Sequence, residues 1–247
     1  MMKKLGLYLL FFALTLSCKS DFFKDSVDSE TGRGGSLARF TVMNGYLYAV
    51  KAHELLVFDL SEESTDLVNR ISLDAFAETI FPFKGNLLLG TQTGMWVYDV
   101  SLPESPTFIS KYEHILSCDP VVADGDFAFT TLRSGTACRN GVNRLDVLNI
   151  GSLLDPYLVR SYSLLNPFGL AVKGNRLYVG EDDRGLRIFD LSDPENMQTV
   201  RRDFNINARD IIPLENSLLI TASNGISQYK LEENDQFTLL SHIEIGD

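Results

Sequence analysis

A chain of 247 residues, 45% hydrophobic and 22% charged, carries enough apolar material for one domain with a substantial core. Its net charge is −11, and −13 without residues 1–17, whose only charged side chains are Lys3 and Lys4. A body that acidic repels phosphate backbones, which argues against nucleic-acid binding.

The chain opens with Lys3-Lys4 and a mostly apolar run, Leu5 to Leu16, that ends in small polar residues before Cys18. That run is too short to span a bilayer, which needs roughly 20 residues, and reads as an export signal. Leu14-Thr15-Leu16-Ser17-Cys18 resembles the lipobox of bacterial lipoproteins, with threonine where leucine is usual. The resemblance implies cleavage before Cys18, lipidation of that cysteine, and an outer-membrane lipoprotein facing the periplasm or the cell surface. Ordinary cleavage after Thr15-Leu16-Ser17 is the alternative. Residues 1–17 are thus the signal peptide and 18–35 the anchor and tether, polar and without usable periodicity. Asp21, Asp25 and Asp28 in this tether also resemble the acidic signals that send some lipoproteins to the cell surface.

With Cys18 acylated, Cys118 and Cys138 remain as a pair. In an oxidising compartment they are expected to form a disulfide, closing a loop of about 20 residues worth about 3 kcal/mol. Two free thiols, or a metal site, are the other readings. No histidine stands at zinc-ligand spacing, so neither a metal nor a cofactor is expected.

From residue 36 to 247 the sequence repeats. The first large apolar residue of a strand–turn–strand unit recurs at Leu47, Leu87, Phe127, Leu177 and Leu218, and the polar residue closing its second strand at Asp59, Asp99, Asn149, Asp190 and Lys230. Both series step by 40 or 41 residues, with a single step of 50 that places an insertion of about ten residues in the third copy alone. Each copy offers four strands; in the second they are Thr79–Phe83, Leu87–Gly90, Met95–Val100 and Thr107–Tyr112. Tight turns such as Asn44-Gly45 and Asp124-Gly125 join the first two. Four antiparallel strands at this period predict an all-β, five-bladed β-propeller, with closure by packing of the first blade against the last. Gly94-Met95-Trp96-Val97-Tyr98-Asp99 and Gly185-Leu186-Arg187-Ile188-Phe189-Asp190 resemble the LVIVD repeat of bacterial cell-surface proteins. That resemblance implies an envelope propeller with no established biochemical activity.

In a propeller the innermost strands line a central channel, so the residues eight before each anchor should stand at its mouth: Arg39, Thr79, Asp119, Gly169 and Asp210. One position earlier are Ala38, Glu78, Cys118, Phe168 and Arg209. The insertion of the third copy, with Arg133, Arg139 and Asn140, is expected to lean over the same end. Glu78, Asp119 and Asp210 as acceptors, with Thr79, Arg39, Arg133 and Arg209 alongside, suit a polar ligand, although blade starts also hydrogen-bond around a water-filled channel. Asp182-Asp183 in a hairpin turn is either a calcium-type or a solvated acidic turn. No catalytic constellation is dictated. The expected function is a monomeric, non-catalytic binding or scaffolding module for an envelope protein or glycan, tethered to the membrane by its lipid. A carbohydrate-active enzyme using carboxylates such as Asp119 and Asp210 is the alternative.

Overall fold

The computed structural model describes residues 34–60, 65–113, 120–134 and 142–245. Cys18, Cys118, Cys138, Asp119, Arg139 and Asn140, and with them the expected lipidation and disulfide, lie outside the described residues. Among the described residues the chain is all-β, with two short 3-10 turns at Pro194–Asn196 and Glu233–Asp235, and no helix is long and apolar enough to cross a membrane.

Among the described residues, eighteen strands form four antiparallel sheets in a propeller arrangement. The first sheet has six strands in order: β1 (Phe40–Met43), β2 (Tyr46–Asp59), β3 (Asp66–Phe83), β4 (Asn86–Thr91), β5 (Gly94–Asp99) and β6 (Thr107–Glu113). The second holds β7 (Val121–Asp124), β8 (Phe127–Leu132), β9 (Arg144–Asn149) and β10 (Tyr157–Ser163); the third β11 (Leu170–Lys173), β12 (Arg176–Gly180), β13 (Leu186–Asp190) and β14 (Gln198–Asp203); the fourth β15 (Asp210–Pro213), β16 (Ser217–Ala222), β17 (Gly225–Leu231) and β18 (Phe237–Glu244).

The expected count of five sheets is therefore corrected to four, because the first two copies of the repeat share one sheet. Their junction is a row of small residues. Ala77 of β3 pairs with Ala52 of β2 on one side and with Thr91 of β4 on the other, stitching the two copies together. β2 carries both middle strands of the first copy. The Leu60 amide donates to the Gly45 carbonyl at 2.9 Å, so the ends of β2 lie side by side, with Ala52 at φ 54° between them.

Strand patterning explains the packing. β4, β5, β8 and β9 are buried on both faces and largely apolar, as strands covered on both sides are. Buried side chains then gather between successive copies. Leu55, Val57, Leu87 and Trp96 join the first to the second, Leu88, Val97, Ala128 and Leu148 the second to the third. Phe129, Val147, Leu177 and Phe189 join the third to the fourth, and Tyr178, Ile188, Leu218 and Ile220 the fourth to the fifth. Trp96 is 6% exposed and meets Phe108 edge to face, so it is a packing residue.

None of these four apolar clusters joins the fifth copy to the first. The expected closure by face-to-face packing is replaced among the described residues by a polar strap that precedes β1. The Ala38 carbonyl accepts the Ile80 amide at 2.9 Å, while the Ser36 hydroxyl accepts the Leu170 amide at 2.8 Å and donates to Asp210 at 3.2 Å. Residues 34–38 thereby cross from the second copy to the fourth and fifth.

Candidate functional site

Five innermost segments, from β1, β3, β7, β11 and β15, surround a central cavity of about 630 Å3. The strap lies at the end where these segments begin, and the turns that follow them, with Asp124, Lys173 and Glu215, stand at the other. The two ends differ in chemistry.

At the strap end, strand register corrects the sequence alignment in the third copy. Phe127 pairs with Asp124 as Asn86 does with Phe83, so the counterpart of Leu87 is Ala128 and not Phe127. A small residue in the anchor position, next to a large one, produced the slip of one. The position equivalent to Arg39, Thr79, Gly169 and Asp210 is consequently Pro120, whose carbonyl accepts from the Thr131 amide at 3.4 Å. The same shift aligns Asp119, which lies outside the described residues, with Glu78, Phe168 and Arg209.

Asp210 is not an open ligand group. It is 8% exposed, its carboxylate accepts from the Ser36 hydroxyl and the Ile211 amide, and the Ser36 and Leu37 amides also bond to it. A Cβ on Gly35 would stand 2.0 Å from one carboxylate oxygen, and a Cβ on Gly169 2.3 Å from the other. Burial pushes the carboxyl up to about 6, against the lowering effect of these hydrogen bonds. This residue latches the strap. Arg39 is exposed, and its carbonyl accepts from the Val50 amide of β2 at 2.8 Å. Thr79 is buried and paired with Gly90.

Beside the latch, three of the expected residues do converge. Arg133 lies 3.9 Å and Arg209 5.6 Å from the centre of the half-buried Phe168 ring. Arg209 is held in a two-pronged bond by Asp182, at 2.9 and 3.3 Å, and this partner raises its already high pKa. Arg133 is lowered by burial while Asp182 and Glu78 pull it upward, which places both carboxylates within its field. Glu78 accepts from the Gln92 side chain at 3.2 Å. The Thr131 hydroxyl donates to the Phe168 carbonyl at 2.5 Å, holding the main chain that carries the ring. Asn143 closes the base of the third-copy insertion, accepting from Ser134 and donating to the Leu165 carbonyl at 2.9 Å, so Arg133 is presented from a pinned stem.

The sequence reading named Glu78, Arg133 and Arg209 but passed over Phe168 and Asp182 as partners. Phe168 is visible beside Gly169 in the mouth alignment; in the sequence Asp182 is half of an acidic turn, calcium-type or solvated. Pairing with Arg209 settles its role as an anion partner within the chain. Among the described residues no group of three or more His, Cys, Asp or Glu is placed to hold a metal ion.

Comparison with known proteins agrees with this architecture. Residues 168–202 match the model of the LVIVD repeat, the segment that runs from Phe168 through β11 to β14. Among curated proteins none matches the chain. In solved structures, a functionally unknown protein from Desulfotomaculum acetoxidans superposes with a TM-score of 0.64 at 12% identity, over 81% of this chain and 66% of that one. A protein from Lactobacillus plantarum gives 0.64 at 14%, over 80% and 67%, and the computationally designed Ika8 protein 0.60 at 12%, over 83% and 61%. At such identities the likeness is one of fold, and the chain spans about two thirds of the length of these neighbours.

Proposed function

We propose that this chain is a non-catalytic binding module of the bacterial envelope, anchored through a lipid on Cys18, whose mouth around Phe168 receives an anionic glycan or an acidic segment of an envelope protein. The observation that carries the reading is the pair of guanidinium groups on one aromatic ring. Guanidinium groups against an aromatic ring offer an N–H fork whose geometry suits carboxylate and ring hydroxyls. Arg133 stands on the stem of the insertion, against the same ring as Arg209, and is the group chosen to test the reading.

Retention of the purified protein on an array of neutral and acidic glycans, together with crosslinking in the envelope, tests this. The expected result is capture of an acidic ligand or an acidic envelope protein, weakened roughly tenfold by Arg133→Ala, the loss of about 1.4 kcal/mol that one charged hydrogen bond supplies. Capture unchanged by that substitution, or no capture at all, contradicts it. The anchor is tested separately: Cys18→Ala should release the protein from the membrane fraction.

The enzyme alternative draws support from the raised carboxyl of Asp210, a property shared by general acids. Its oxygens are turned onto the strap, which favours the latch. If Asp210→Asn abolished turnover of a glycoside without altering the melting temperature, the hydrolytic reading would replace the binding one.

A further inference from the structure

The central cavity, reached from the end opposite the mouth, has chemistry of its own. Part of its wall is apolar: Phe40, Phe81, Pro82, Val122 and Val172 line it, and Phe40 is 62% exposed, a large apolar side chain left uncovered inside a concavity. Soluble proteins rarely leave such a side chain in a recess without a use for it. The volume of about 630 Å3 falls within the range of roughly 300–1,000 Å3 typical of small-molecule sites. The strap closes on the far end, held by Ser36 and Asp210, so the recess is entered past the turns.

Two carboxylates, Asp124 and Glu215, and one ammonium, Lys173, line that entrance. The ammonium is committed to backbone carbonyls, donating to Leu214 at 2.6 Å and to Glu215 at 2.8 Å. Both carboxylate residues are exposed. The entrance therefore carries net negative charge on a chain that is itself at −11, and the aromatic walls beneath it attract cations as well.

We infer that the central cavity is a binding site for a small cationic amphiphile, with its apolar body against Phe40, Phe81 and Val122 and its ammonium group between Asp124 and Glu215. This site is separate from the Arg133 mouth and stands or falls without it.

Calorimetric titration of the purified protein with octyltrimethylammonium, and with octanoate as the anionic counterpart, tests the inference. One cation should bind per chain, at least tenfold more tightly than octanoate. Asp124→Asn combined with Glu215→Gln should weaken the cation at least fivefold and narrow its advantage over octanoate. Ala123→Trp, which fills the cavity from a lining position, should abolish binding, and Arg133→Ala should leave it unchanged. Octanoate binding as tightly as the cation, no saturable binding of the cation, or an unaltered affinity in the double rim variant would overturn it. Should Ala123→Trp fail to fold, the comparison of the two amphiphiles on the wild-type chain and the rim variant still decide the matter.

Discussion

At the residue scale the most informative group is Asp210, because a position read as a ligand acceptor is spent inside the fold. Its carboxyl is raised from an ordinary 3.8 to about 6, so the neutral form is the one the folded chain favours. The stability it contributes is fully present below about pH 4 and is lost as pH rises through about 6. Relative to Asp210→Asn, which keeps the shape and one acceptor oxygen, the wild-type melting temperature should fall between pH 4 and 6 and run parallel above and below. Identical pH profiles for the two proteins would show that the carboxyl is not buried against the strap. Gly169 gives a second residue-level test. A Cβ there meets Asp210 at 2.3 Å and the Arg209 carbonyl at 2.8 Å, so Gly169→Ala should cost about 1–3 kcal/mol in denaturant unfolding, as overpacked sites do.

At the scale of the element, the third sheet is pinned by one carboxylate. Glu181 is fully buried and accepts from Arg187 of β13 at 3.1 Å, Arg202 of β14 at 2.7 Å and the Leu165 amide at 2.6 Å. It ties two strands to the segment that leads into the same sheet from β10. Removing one member of such a cluster leaves buried charge without a partner, so Glu181→Ala should cost roughly 3–5 kcal/mol, measured by denaturant unfolding. A cost below 1 kcal/mol would mean the cluster is solvated. The hairpins around it were legible in the sequence: the four strands read in the second copy appear as the end of β3 and as β4, β5 and β6, shifted by a residue at most of their ends. Period-2 alternation and the turn residues sufficed for that. The third copy was misaligned by one because Ala128, a residue too small to stand out, occupies the anchor position beside Phe127. The mouth was half legible for a related reason. Charges at strand starts are visible in a repeat alignment, but which of them turn inward onto a strap and which onto a ring depends on contacts as distant as Ser36 with Asp210.

At the scale of the whole molecule, five copies of the repeat are distributed over four sheets among the described residues, and there apolar packing runs from each copy to the next without joining the last to the first. The sequence could show the repeat and its period; it could not show that Ala52, Ala77 and Thr91 merge two copies, since small residues carry no pattern. What brings the two ends of the repeat array together is the strap, and residues of the same strap line the central cavity. Both proposed sites rest on that junction. It is tested most directly by a double-mutant cycle on Ser36→Ala and Asp210→Asn in denaturant unfolding. Ser36→Ala alone removes a hydroxyl that accepts from a buried amide and donates to a buried carboxylate, a loss of about 1–3 kcal/mol. The two substitutions should be coupled by about 1 kcal/mol, since residues in one hydrogen-bond network lose a shared interaction only once. Strict additivity of the two would contradict a strap latched across the end of the cavity.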